Sequence, residues 1–136
     1  MIDHSLILTP AHLDAMRRHV AAESPIEACG LLAGKDGIVQ AVLPVKNAAA
    51  SKVRFRMDPR AQLRAFGLID AAGQELLAIF HSHPKGSSAP SPTDIKEAAY
   101  PVVYIILSPV GRRWRARGFW IELGHAAEVP LNVDPL

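Results

Sequence analysis

The chain has 136 residues, 49% hydrophobic and 21% charged, with 15 lysines and arginines against 13 acids for a formal net charge of +2. That balance belongs to a globular protein and excludes disordered, collagen-like and low-complexity classes. So small a charge offers no argument for nucleic acid as a partner.

One cysteine, Cys29, excludes an intramolecular disulfide and an all-cysteine metal site, and it fits a reducing cytoplasm. At this length roughly two thirds of the unfolded surface can be buried, so a single domain over 1–136 is expected to form its core without a covalent staple. The first ten residues include Asp3 and no long apolar stretch, so no secretory signal is expected. The longest apolar run, 98–107, is about half the ~20 residues of a membrane span and is interrupted by Pro101, so it reads as a buried strand and no membrane association is expected.

In chain order, a short strand is predicted over 5–8. Thr9 as N-cap and Pro10 at the first helical position open a helix to about residue 22, with Leu13, Met16 and Val20 at helical spacing and Ser24-Pro25 ending it. A hairpin follows, 29–33 and 38–45 around Gly34-Lys35-Asp36-Gly37, then a small-residue loop over 47–52. Residues 53–57 alternate apolar and basic, as a half-exposed strand does. Asp58-Pro59 opens a second helix over 59–71, with Leu63, Phe66 and Ile69 expected to face inward. Residues 76–80 are apolar throughout and read as a central strand. After a Gly/Ser/Pro loop over 84–90, Ser91-Pro92 opens a short helix to about residue 99. Strands are predicted over 102–107 and over 112–123, the latter broken near Gly118, with an edge strand over 129–133. Three helices among about seven strands predict an α/β domain with a mixed sheet.

The chemistry concentrates in His81-Ser82-His83-Pro84 and Pro90-Ser91-Pro92-Thr93-Asp94. Histidines at i and i+2 on a strand point to the same side and can converge on one ion. The intervening loop is long enough to fold back, which brings Asp94, in the first turn of the new helix, to face them. Two neutral nitrogens and one carboxylate suit zinc, and three protein ligands leave a fourth position open, as catalytic sites do. Zinc lowers the pKa of water toward ~7. Glu27, just before the strand over 29–33, is the best candidate for the base that takes the proton.

Glu27-Ala28-Cys29-Gly30-Leu31-Leu32, then His-x-His-Pro, seven residues, and Ser-x-x-Asp resembles the JAMM (MPN-domain) zinc metalloprotease family along nearly the whole chain. The resemblance implies a curved mixed β-sheet flanked by helices, similar to the cytidine-deaminase-like architecture. It implies one zinc ion per chain bound by His81, His83 and Asp94, with Glu27 as general acid/base and Ser91 helping to stabilise the oxyanion. It further implies a metallopeptidase cutting an amide or isopeptide bond after a C-terminal Gly-Gly, and, for compact members, a ubiquitin-like sulfur-carrier protein as substrate. An inactive scaffold of the same fold and a peptidoglycan or phage-tail-associated zinc hydrolase are the alternatives.

Cys29 reads as a small buried hydrophobe. His4, His12, His19 and His125 lack ligand spacing. Arg113, Arg115 and Arg117 fall on one face of a strand, opposite Trp114 and Ala116, either as a solvated face or as a docking stripe for an acidic partner.

Overall fold

In the computed structural model, which describes residues 3–134, one eight-stranded mixed sheet carries the chain. The elements are β1 (Leu6–Leu8), α1 (Pro10–Glu23), β2 (Cys29–Lys35), β3 (Ile38–Val45), α2 (Pro59–Ala71), β4 (Glu75–Ser82), α3 (Pro92–Glu97), β5 (Val103–Val110), β6 (Arg113–Glu122), β7 (His125–Val129) and β8 (Leu131–Val133). The strand order is β7-β6-β5-β4-β2-β3-β1-β8. β4 runs parallel to β5, and β1 runs parallel to both β3 and β8; the other neighbours are antiparallel. Only Pro130 separates β7 from β8, so one continuous segment carries both margins and the sheet curls nearly closed.

All three helices start by the same device, a polar cap followed by proline. In α1 the Thr9 hydroxyl accepts from the His12 amide, and His12 Nδ1 accepts from the Thr9 amide, so a histidine takes the place of the usual glutamate in a capping box. The β2–β3 hairpin turns on Asp36 and Gly37, at φ 53° and 76°, the left-handed pair that a two-residue type I′ turn requires.

The sheet is covered on both faces. Val20, Leu32, Phe80 and Ile105 pack in the cluster beneath α1, while Leu31, Val45, Ile69 and Ile79 pack beneath α2. Fully buried side chains such as Phe80 and Leu31 contribute about 1.5–3 kcal/mol each. Coverage on both faces is why β4 reads as unbroken apolar sequence rather than an alternating one. None of the described helices is long and apolar enough to cross a membrane.

Five expectations need correction. Residues 53–57 form no strand; their regular pairing is limited to the Asn47–Met57 bridge, because the Asn47 side chain takes the Arg54 carbonyl and the Arg56 amide instead. Leu63 is 72% exposed, and Ala65 joins Ile69 in the inward row of α2. β6 runs unbroken through Gly118, where a Cβ would lie 2.8 Å from the Leu131 side chain, so the glycine makes room for the crossing segment. The C-terminal edge strand is two strands, β7 and β8, which makes eight among the described residues. α3 stops at Glu97, short of residue 99.

Candidate metal centre

β4 sets the geometry. Ala78 and Phe80 point under α1 and Ile79 under α2, so His81 leaves the strand on the α2 side and His83, two residues on, follows it. The His83 amide still donates to the Leu107 carbonyl at 2.9 Å, which prolongs the β4–β5 pairing past the strand end. The ring of Phe55 lies over His81, with centroids 4.5 Å apart. Both imidazoles are buried, at 1% and 9% exposure.

Asp94 comes from the other side of the crossover. The Ser91 hydroxyl caps α3 by accepting from the Asp94 amide at 3.0 Å, and the Ser91 amide donates to Asp94 Oδ2 at 2.8 Å. This reciprocal cap aims the carboxylate. Its Oδ2 lies 3.0 Å from His83 Nε2 and 3.3 Å from His81 Nε2, and the two Nε2 atoms lie 3.1 Å apart.

Those contacts call for a cation. His83 Nδ1 sits 2.8 Å from the Ser87 carbonyl, which can only accept, so Nδ1 carries the hydrogen and the neutral ring presents a bare Nε2 to Asp94. A lone pair facing a carboxylate at that distance is repulsive until a proton or metal lies between them. Ligand atoms bound at ~2.0–2.1 Å in a tetrahedron stand ~3.3 Å apart, close to the spacing of this triangle. A backbone carbonyl on the far nitrogen is also how metal-binding histidines are commonly oriented. The residues fit a metal ion.

Glu27 reaches the same place by sheet register. Cys29 pairs with His81, and continuing that antiparallel register two residues sets Glu27 opposite His83. Ligand atoms of Glu27, His81 and His83 all lie within 4.8 Å of one another, and this trio can also hold a metal ion. The Glu27 backbone is pinned by the Asn47 amide on its carbonyl (2.9 Å) and by its own N–H on the Ser51 carbonyl (2.8 Å). Its side chain is buried, with Oε1 making no hydrogen bond.

Electrostatics follow the burial. Desolvation raises Glu27 to about 7, with His83 opposing and Asp94 adding to the shift. Burial lowers His81. Burial also pulls His83 down, but Asp94, the Ser87 carbonyl and Glu27 outweigh it and leave the ring raised. For Asp94, the facing nitrogens of His81 and His83, which hydrogen-bond to it when they carry a proton, and the Ser91 amide overcome burial and hold the carboxyl well below its ordinary range. Cys29, buried and beside Glu27, is pushed up to about 12 and stays a thiol.

All five expected site residues therefore meet in one place. Cavities open on both sides: about 270 Å³ past Phe55, Met57, His81, Tyr100 and Tyr104, and about 230 Å³ past Glu27, Lys52, His83, Lys85 and Ser91. Sequence reasoning missed Asn47, whose amide donates to Glu27 and Arg54 carbonyls while its oxygen accepts from the Ala49 and Arg56 amides. It also missed Phe55 over His81. A polar residue in a small-residue loop was the one visible signal for Asn47.

Comparison with known proteins places the chain in a family. Residues 9–117 match the prokaryotic homologs of the JAB domain. A "probable TtuB-protein conjugate cleaving protease" of Thermus thermophilus is 42% identical over 113 residues, covering 81% of this chain and 76% of its own. A CysO-cysteine peptidase of Mycobacterium tuberculosis is 32% identical over 132 residues, 94% of this chain and 90% of its own. A Desulfitobacterium hafniense protein, known from its solution structure, superposes with a TM-score of 0.88 at 33% identity, over 96% of this chain and 94% of its own. With a match along most of its length and relatives this similar over nearly whole chains, the protein belongs to the prokaryotic JAB-domain family.

Proposed function

We propose that this chain is a zinc metallopeptidase that hydrolyses the amide or isopeptide bond following the C-terminal Gly-Gly of a ubiquitin-like sulfur-carrier protein. The observation that carries the reading is the meeting of His81, His83 and Asp94 at 3.0–3.3 Å with the buried Glu27 carboxyl beside them. The names of the two relatives, one cleaving a TtuB–protein conjugate and the other acting on CysO-cysteine, support a carrier protein as substrate. A carboxyl buried beside two imidazoles suits an active site better than an inactive scaffold.

His81, His83 and Asp94 would hold one zinc ion, since two imidazoles and a carboxylate suit zinc better than magnesium or calcium. When bound, zinc supplies Lewis acidity, which polarises a scissile carbonyl and makes water acidic enough to react near neutral pH. Glu27 moves the proton. Raised to about 7 by burial, its carboxyl is poised to accept a proton from the attacking water and to return it to the leaving amine. The Ser91 hydroxyl spends a lone pair on the Asp94 amide, so its own hydrogen is left to donate to a developing oxyanion.

Segment 52–57 suits an extended tail. It runs from Lys52 and Val53 in one cavity to Phe55 and Met57 in the other, and it has no strand partner beyond the Asn47–Met57 bridge. A peptide lying along it would gain main-chain hydrogen bonds, and glycines would let its backbone approach the zinc closely. Arg113 and Arg115 remain exposed to contact an acidic carrier.

Mass spectrometry of carrier fusions extended past Gly-Gly, Ala-Ala or Val-Val tests the reading. Cleavage should occur after Gly-Gly, weaken for the other two, and be lost in Glu27→Gln. Equal rates on all three would defeat tail recognition, and intact fusions throughout would defeat the peptidase.

A further inference from the structure

In the arginine row on β6, Arg117 is held by side-chain contacts on two sides. It forms a two-point pair with Glu128 of β7, Nε to Oε2 at 3.0 Å and Nη2 to Oε1 at 2.8 Å, and its guanidinium lies 5.1 Å from the centre of the Phe119 ring. Held by both, it turns its remaining nitrogen to the loop after β4, where Nη1 donates to the Ser88 hydroxyl at 2.7 Å and, more weakly, to the Ser88 carbonyl at 3.4 Å. Ser88 follows Ser87, whose carbonyl fixes the Nδ1–H of His83. The other hydrogen bonds of this loop are local, from the Gly86 amide to the His83 carbonyl and between Ser87 and Ala89. Gly86 sits at φ 121°, a conformation that favours glycine.

We propose that Arg117 is a positioning residue for His83: anchored by Glu128, it grips Ser88 and so places the Ser87 carbonyl that keeps His83 Nε2 bare and aimed at Asp94. The inference rests on the reading of His83 as a metal ligand, and it removes Arg117 from the docking row. Exposed ion pairs contribute little to stability. Loosening this one should therefore be felt in the site before it is felt in the fold.

The test measures zinc affinity by chelator competition and the His83 tautomer by imidazole nitrogen NMR of the metal-stripped protein. Arg117→Ala should weaken zinc by about tenfold, the lower end of the effect of losing an outer partner of a metal ligand, and Glu128→Gln by about threefold. Arg117→Lys, which keeps the charge but not the two-point geometry, should recover only part of the loss. Arg113→Ala, on the same face, should match the parent in zinc affinity and in the His83 tautomer, and unfolding midpoints should stay close to it. Arg117→Ala with zinc affinity within about twofold of the parent and the Nδ1–H tautomer retained would overturn the proposal. If Arg117→Ala does not fold, Glu128→Gln decides by the same two readings. A parent that takes up no zinc would refute the metal reading, while the tautomer comparison would still decide the role of Arg117.

Discussion

Ser82 and Ala28 hold each other twice: the Ser82 amide donates to the Ala28 carbonyl at 2.9 Å, and the Ala28 amide donates to the Ser82 hydroxyl at 2.8 Å. His81 and His83 flank the first residue and Glu27 adjoins the second, so this double tie sets the carboxyl against the imidazoles. Ser82→Ala would leave the buried Ala28 N–H without an acceptor, at a cost of about 1–3 kcal/mol in urea unfolding. It should also lower kcat more than it raises KM, because the tie orients a group that acts in the transition state. Unchanged stability together with unchanged kcat would show that the tie is not used.

Glu27 predicts opposite effects on stability and activity. Burial raises its folded-state pKa to about 7, above the unfolded value, so its contribution to stability is complete below the ordinary carboxylate range and is lost as pH rises through about 7. Glu27→Gln cannot ionise. In chelator-treated protein it should be more stable than the parent by about 1–3 kcal/mol near pH ~8, with the gap closing toward pH ~5. Its hydrolytic rate should fall ~100- to 10,000-fold. A difference in melting temperature that is the same at both pH values would contradict the assignment.

Two glycines predict changes of opposite sign. A Cβ on Gly30 would lie 2.3 Å from the Phe80 ring and 2.8 Å from the Leu43 carbonyl, both in the packed sheet, so Gly30→Ala should cost roughly 1–3 kcal/mol. Because Phe80 precedes His81, zinc affinity should drop as well. Gly67 lies exposed on α2 with no atom within 4 Å of such a Cβ, so Gly67→Ala should stabilise by up to about 1 kcal/mol. Denaturant titration reads both, and equal effects would contradict the packing described.

The helix starts and the hairpin at Asp36-Gly37 were legible because cap, proline and turn chemistry are local. The β6–β7 hairpin was not. It turns on Leu123 and Gly124 at φ 51° and 76°, and a leucine in the left-handed region, 93% exposed, is no turn signal. Residues 53–57 alternate like a strand, yet the side chain of Asn47, a partner no periodicity reveals, takes the hydrogen bonds of the Arg54 carbonyl and the Arg56 amide. At the site, His81, His83 and Asp94 could be grouped from spacing and the Ser91-Pro92 cap. Glu27 could not be placed by spacing, because 53 intervening residues are spanned only by the β2–β4 register. Arg117 looked like its exposed neighbours, since its partner Glu128 lies on a strand the sequence did not separate.

The most direct test is to strip the protein with chelator and titrate zinc back while following hydrolysis of a Gly-Gly-extended carrier and the zinc bound. Activity should be absent at the start, rise in proportion to bound zinc and level off at one equivalent, while the His81→Ala/His83→Ala double variant stays folded and takes up none. Full hydrolysis by the stripped protein, or full zinc uptake by the double variant, would contradict the account.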